Sequence, residues 1–195
     1  MIGFINGKLE EIIGNSIIIN CGGVGFEIMV SQLTISNLGN IGETFKVYTY
    51  LNVKEDEMSL YGFANMAEKQ MFLNLTSVSG VGPKTAISIL SEITLYDLAS
   101  SIASGDAVVI SKVKGIGKKT AERIVLELRE KIEKSTEFIT LPKENVAVDN
   151  NEFEYAINVL VSLGLNKFDA TRKLREIAKP EDKAEDLIQK VLRSM

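Results

Sequence analysis

The spacing of apolar and polar positions changes once along the chain. Up to residue 63, apolar and polar residues alternate in short runs separated by glycine and asparagine turns, which is the pattern of half-buried strands. The runs predicted as strands are Ile2–Ile5 joined to Leu9–Ile13 by a bend at Gly7, Ser16–Cys21, Gly25–Val30, Thr44–Val53 and Ser59–Phe63. Five short strands with regular turns predict a small β-barrel, and we favour the OB type because it is small and often binds nucleic acid.

From residue 64 onwards, apolar residues recur at helical spacing. The predicted helices are Met66–Ser77, Lys84–Ile93, Leu95–Ser104, a short helix capped by Asp106, Lys118–Lys134, Glu152–Leu163, Lys167–Ala178 and Lys183–Arg193, with breaks at Gly164 and Pro180. Residues 135–151 are polar and lack this period, so they are interpreted as a linker. The fold class is therefore multidomain α+β: a barrel at 1–63, an all-α domain at 64–134, the linker, and a three-helix bundle at 152–195.

One segment of the helical region occurs twice. Val78–Ala86 returns 35 residues later as Val113–Ala121. The matching positions are Gly80 and Gly115, Gly82 and Gly117, Lys84 and Lys119, Thr85 and Thr120, Ala86 and Ala121, and Ile89 and Ile124. An apolar residue between two glycines, followed at once by a helix, is typical of a helix-hairpin-helix motif, so the repeat predicts a pair of such motifs.

The chemistry of such a hairpin favours an anionic partner. Glycine permits the sharp turn, and a helix N-terminus offers unpaired N–H donors with partial positive charge, to which phosphate binds. Pro83 suits the first helical position, where an N–H would be unpaired anyway. We expect Val81 and Ile116 to pack into the core between the helices.

The lysines strengthen this interpretation. Lys118 and Lys119 fall in the first turn of a helix, where the helix dipole disfavours a cation by roughly 0.3–1 kcal/mol. An external anion would relieve that conflict, which predicts sequence-independent, salt-sensitive binding to DNA phosphates. The alternative is two glycine-capped helical turns with solvated lysines.

Composition and charge narrow the possible functions. The chain has no histidine, which excludes histidine-based catalysis and metal sites with histidine ligands. Its single cysteine excludes an internal disulfide. No cofactor is expected. The net charge of −4 conceals a split, because residues 65–134 carry ten basic and eight acidic side chains whereas residues 1–64 carry three and seven. The sequence shows neither an apolar run of about 18 residues nor a signal peptide, so we expect no membrane span and a cytoplasmic location.

Three segments carry a resemblance to a known family. Leu60–Phe63, Gly80–Lys84 and Gly115–Arg123 resemble signatures of the RuvA family, the Holliday-junction-binding subunits of the bacterial branch-migration complex. The order of barrel, paired hairpins, linker and three-helix tail is similar throughout. The resemblance implies a non-catalytic homotetramer that holds an open, planar four-way junction during recombination, DNA repair and the SOS response. Whether a second tetramer completes an octamer stays open.

The resemblance also implies partners and site residues. The tail would dock a RuvB-type hexameric ATPase, and a RuvC-type junction resolvase would be a further partner. The DNA-phosphate site carries over to Gly80, Val81, Gly82, Lys84, Gly115, Ile116, Gly117, Lys118, Lys119 and Arg123. The tail residues predicted to meet the ATPase are Leu160, Leu163, Leu165, Leu174 and Leu187, although most apolar residues there should form the small core.

An acidic pin is implied for the last loop of the barrel. It carries over to Glu55 and Asp56, whereas the assignment of Glu57 to this pin stays open. Judged by its residues alone, the loop is a solvated β-turn.

Two other functions compete with junction binding. A DNA glycosylase or nuclease built on the same hairpin would need a catalytic Asp after it, but no Asp lies between Asp106 and Asp149. A general DNA scaffold that recruits a repair enzyme through its tail would have the same hairpins without a preference for four-way DNA.

Overall fold

The computed structural model describes residues 2–134, 150–163, 165, 170, 173–174, 177 and 183–193. Within it the chain forms two compact units, Met1–Leu128 and Arg129–Met195. The strands are β1 Phe4–Ile13, β2 Ser16–Cys21, β3 Val24–Val30, β4 Thr44–Val53 and β5 Met58–Phe63. The helices are α1 Gln32–Ser36, α2 Met66–Thr76, α3 Pro83–Glu92, α4 Leu95–Ser104, α5 Val108–Ser111, α6 Lys118–Lys134, α7 Asn150–Ser162 and α8 Ala184–Arg193.

The five strands close into a barrel in the order β1-β2-β3-β5-β4, which confirms the predicted architecture. All pairings are antiparallel except the short parallel one between β3 and β5. Alternate residues point inwards and form the barrel core, as the period of two requires. This core consists of Ile5, Leu9, Ile17, Ile19, Ile28, Val30, Val47 and Leu60.

The first strand differs in detail from the prediction. β1 is continuous, and its pairing with β2 shifts register between Leu9 and Glu11 instead of at Gly7. Gly7 serves a close approach of two strands, because a Cβ at this position would collide with the carbonyl oxygen of Asn20. The prediction of one long strand is confirmed, but its irregularity is not at Gly7, whose physical role is to make room for β2.

A short helix, α1, was not predicted. Its five residues are too few to show a helical period, although Ser31 caps it by accepting a hydrogen bond from the N–H of Thr34 at 3.0 Å. Ser31 and Thr34 also donate hydroxyl hydrogen bonds to the buried carboxylate of Glu68 on α2, which accepts the Ala64 N–H at 2.9 Å as well. Burial raises the pKa of Glu68, while these hydrogen bonds act to lower it.

An aromatic cluster joins the barrel to the helical region. The ring of Phe72 on α2 lies 4.8 Å from that of Phe63 and 5.4 Å from those of Tyr50 and Tyr61, measured between centroids. Phe72 has no exposed surface. The strands and the first helices therefore pack as parts of one unit, which places the β4–β5 loop and the hairpins on a common scaffold.

The remaining helices of this unit follow the predicted pattern. α4 and α6 have the predicted bounds, and Ile124, Leu128 and Ile132 on α6 are completely buried. The N-cap of α5 is Ala107 and not Asp106 as predicted, but the Asp106 carboxylate still accepts a hydrogen bond from the first helical N–H, that of Val108, at 2.8 Å. No single helix in the described ranges is long and apolar enough to cross a membrane; only the bent pair α3 and α4, at 103° to each other, has the length and composition for it.

The tail unit has its own small core. Ala156, Ile157, Leu160, Ala170, Leu174, Ala184, Leu187 and Val191 form it. The Glu152 carboxylate accepts the Ala184 N–H at 2.7 Å, which ties α7 to the start of α8. Of the predicted helix 167–178, only residues 170, 173, 174 and 177 are described, and all four are helical. The breaks at Gly164 and Pro180, and nearly all of the linker 135–151, lie outside the described residues.

Candidate nucleic-acid interface

The two hairpins, 78–86 and 113–121, have the same backbone geometry. Gly80 has a φ of 91° and Gly115 one of 88°, in the left-handed region that favours glycine. In each copy the N–H of the central apolar residue donates to the carbonyl two residues before the first glycine, at 3.0 Å for both Val81 and Ile116. The sequence repeat is thus a structural repeat as well.

The central apolar residues hold the hairpins in place. Val81 is 5% exposed and Ile116 is 7% exposed, which confirms that both pack into the core. Their N–H groups are already used inside the hairpin. Both residues therefore shape the candidate interface, and their own N–H groups are not free to bind a ligand.

The second glycine of each hairpin is not required by the fold. Gly82 has an ordinary extended conformation, with φ −85° and ψ 171°, and Gly117 is not among the glycines with positive φ. A Cβ on either glycine would meet nothing within 4 Å. The open space lies directly before a helix N-terminus, so a glycine here leaves room for a ligand instead of for the protein's own packing.

Unpaired donors line this space. In the first helical hydrogen bonds, the Ala86 N–H donates to the Gly82 carbonyl at 2.9 Å and the Ala121 N–H donates to the Gly117 carbonyl at 3.0 Å. The N–H groups that precede them have no acceptor in the described part of the chain, as expected for the first turn of a helix. These groups belong to Lys84 and Thr85 in the first copy, and to Lys118, Lys119 and Thr120 in the second. Pro83 removes one donor from the first copy.

Exposed basic side chains surround both helix starts. Lys118 lies 3.9 Å from Glu122, and the Arg123 Nε donates to Glu127 at 2.7 Å, both within α6. Lys84 lies 3.9 Å from Glu57 of the barrel. Lys119 has no ion pair among the residues that the structure describes. Exposed pairs of this kind are worth about 0–1 kcal/mol, so a phosphate can displace them readily.

The loop between β4 and β5 carries three carboxylates, which are Glu55 and Asp56 of the predicted pin and Glu57, whose assignment stayed open. The Lys54 N–H donates to the Glu57 carbonyl at 2.8 Å and closes the turn, with Glu55 and Asp56 exposed at its tip. Neither tip carboxylate has a hydrogen bond or ion pair within the described ranges. Glu57 differs, because it accepts a hydrogen bond from the Ser59 hydroxyl at 2.7 Å. That bond and, next, the charge of Lys84 lower the pKa of Glu57.

The five tail leucines differ in exposure. Leu160, Leu174 and Leu187 are completely buried in the tail core, and Leu165 packs against it. A side chain without exposed surface cannot meet a partner, so these three act only by shaping the tail. Leu163 is 57% exposed and is available for a direct contact. Among the described residues of the tail, Tyr155, Val161 and Leu192 are further large apolar side chains with exposed surface, and none of them was predicted as a contact.

No cluster of three or more His, Cys, Asp or Glu side chains that could hold an ion occurs among the described residues. What the arrangement offers is a set of backbone donors, cations and space, which suits phosphate binding.

Comparisons with known proteins agree with this geometry. The model of the RuvA N terminal domain matches residues 1–62, and that of the SAM-like helix-hairpin-helix tandem matches residues 72–130. Three relatives named Holliday junction branch migration complex subunit RuvA come from Cytophaga hutchinsonii, Ruminiclostridium cellulolyticum and Thermoanaerobacter pseudethanolicus. They are 39%, 37% and 38% identical to this chain, and each alignment covers at least 99% of both chains. With this barrel, these paired hairpins and this similarity over its length, the chain belongs to the RuvA family.

Proposed function

We propose that the chain binds four-way DNA junctions, as the DNA-binding subunit of a branch-migration complex. The observation that carries this proposal is the pair of hairpins with matching geometry, each ending in an open helix N-terminus with exposed lysines. Donors of this kind contact phosphate and not base edges, so binding is independent of sequence and weakens with salt. The names of the relatives, which refer to Holliday junctions and branch migration, agree with the proposal.

The acidic loop would provide the preference for a junction. In a homotetramer, four copies of Glu55 and Asp56 would gather about one axis. Their carboxylates would repel phosphates there, hold the strands apart at the crossover and keep the junction open and planar, at some cost in affinity for ordinary duplex. Exposure of both tip carboxylates supports this role. Binding of a second tetramer, to form an octamer, belongs to the same proposal.

The tail would recruit the motor. A RuvB-type hexameric ATPase would dock on the exposed apolar side chains of the tail, with Leu163 and Tyr155 as the most exposed candidates. ATP hydrolysis and movement of the arms would belong to that partner, while this chain would hydrolyse nothing. A RuvC-type resolvase would act on the same bound junction in the cytoplasm.

A competition gel shift tests the proposal. A labelled four-way junction is bound by the full chain and challenged with excess linear duplex of the same sequences, at two salt concentrations. We expect the junction to be retained in one or two discrete complexes. Equal competition by linear duplex would instead indicate a general DNA scaffold. The double variant Glu55→Gln with Asp56→Asn should bind duplex more tightly and lose part of the junction preference; unchanged preference would contradict the pin.

A further inference from the structure

One ion pair connects the acidic loop of the barrel to the first hairpin. The Glu57 Oε1 lies 3.9 Å from the Nζ of Lys84, and the same oxygen accepts the hydroxyl hydrogen bond of Ser59. Ser59 lies on β5 and is only 6% exposed. The hydrogen bond from Ser59, a buried residue of β5, therefore orients the Glu57 carboxylate.

Lys84 occupies a position where a nearby carboxylate stabilises its positive charge. It follows Pro83 in the first turn of α3, where the helix dipole disfavours a cation. A nearby anion relieves this conflict. The DNA phosphate expected at the hairpin would relieve the conflict too, so phosphate and the Glu57 carboxylate would compete for the ammonium group of Lys84.

The second hairpin has no equivalent arrangement among the residues that the structure describes. Lys119, which matches Lys84 in the repeat, has no ion pair in the described part of the chain. Its neighbour Lys118 faces Glu122 of its own helix. The barrel thus supplies an anion to one of the two hairpins.

We propose that Glu57 is an internal competitor for DNA phosphate at Lys84 and does not belong to the pin. It partly neutralises the first hairpin before DNA arrives, so this hairpin gains less from phosphate binding than the second one does. The inference rests on the proposed function, because it assumes that both hairpins contact DNA. Both partners are exposed, so the effect on affinity is modest, about two- to fivefold.

A double-mutant cycle in the full chain tests the inference. The variants are Glu57→Gln, which keeps an acceptor for Ser59, Lys84→Gln, and both together. Affinity is measured for a four-way junction and for linear duplex over a range of NaCl concentrations. In the presence of Lys84, Glu57→Gln should tighten binding about two- to fivefold and steepen the dependence of log K on log salt by up to about one. In the Lys84→Gln background it should change neither.

Glu55→Gln is the matched control. It removes a carboxylate of the same loop that has no contact with Lys84, and its effect should be the same in both backgrounds. Equal tightening by Glu57→Gln in both backgrounds would overturn the inference, since it would show general repulsion of DNA. No tightening in either background would overturn it as well. The unmodified chain could also bind the junction and the linear duplex equally well, while the effect of Glu57→Gln on both DNAs still depends on Lys84. That result would refute the proposed function, but Glu57 would remain a competitor for phosphate.

Discussion

The two hairpins share a backbone and differ in electrostatics. Gly80 and Gly115 have φ values within 3° of each other, the central apolar residue is buried in both, and the second glycine faces open space in both. Yet the first copy has a proline that removes a donor and a lysine that faces Glu57, whereas the second has neither. Local sequence repeats reproduce a backbone, but the charge around it depends on what the rest of the fold brings near.

The largest effect should come from filling the open space in front of the helices. Gly117→Val and Gly82→Val each place a Cβ where the protein has no atom within 4 Å, and the branched side chain would block the approach of a phosphate. We expect each to weaken junction binding by about 2 kcal/mol, roughly thirtyfold, because charge-assisted hydrogen bonds are lost. Fluorescence anisotropy would measure the change. Gly3→Val is the control, since a Cβ at Gly3 also meets nothing within 4 Å; a similar loss in this variant would argue against specific blocking.

The lysines should separate the two copies. Lys119→Gln should weaken binding about tenfold and Lys84→Gln only about threefold, since Lys84 already faces a carboxylate. Lys46→Gln, at an exposed position on the barrel, should change little. Titrations at several salt concentrations would give both the affinities and the number of phosphate contacts. Equal losses of affinity in the Lys84 and Lys119 variants would contradict an electrostatic difference between the hairpins.

Substitution of the first glycine of each hairpin should show that the two hairpin backbones are alike. Gly80→Ala and Gly115→Ala place a Cβ at positive φ with nothing to collide with, so the cost is conformational and about 1 kcal/mol of unfolding free energy in each case. Denaturant unfolding measures it. Clearly unequal costs would mean that the hairpins are not the same structure in solution.

Pro83 should have the smallest effect. Pro83→Ala restores the N–H that the second hairpin has, so junction binding should tighten by less than about twofold. It should also lower the unfolding free energy by about 0.5 kcal/mol, because the unfolded chain becomes more flexible. A pronounced gain in affinity would show that the missing donor, and not Glu57, accounts for most of the difference.

Much of the fold could be predicted from pattern. The strands, the hairpins and the bounds of α4 and α6 follow from alternation, helical period and glycine positions, which are local properties. The five-residue helix α1 could not be predicted, because it is shorter than two helical turns. Its Ser31 and Thr34 become significant only when folding brings Glu68 to them.

The residues of the candidate site were likewise predictable where they belong to a local pattern and unpredictable where they depend on a distant contact. The glycines, lysines and central apolar residues of the hairpins were identified from the repeat, whereas the contact between Glu57 and Lys84 joins two elements that no periodicity connects. Among the tail leucines, amphipathic spacing could not distinguish the buried Leu160 from the exposed Leu163.

Residue types and near neighbours set the hairpin backbones and the alternation of the barrel strands, and the composition rules out histidine chemistry, so these features follow from the sequence alone. Packing of the elements established which lysine faces an internal carboxylate, where Glu68 finds its donors and which tail side chains stay exposed. Those features arise from contacts between residues distant in the chain, and such contacts exist only once the elements have packed.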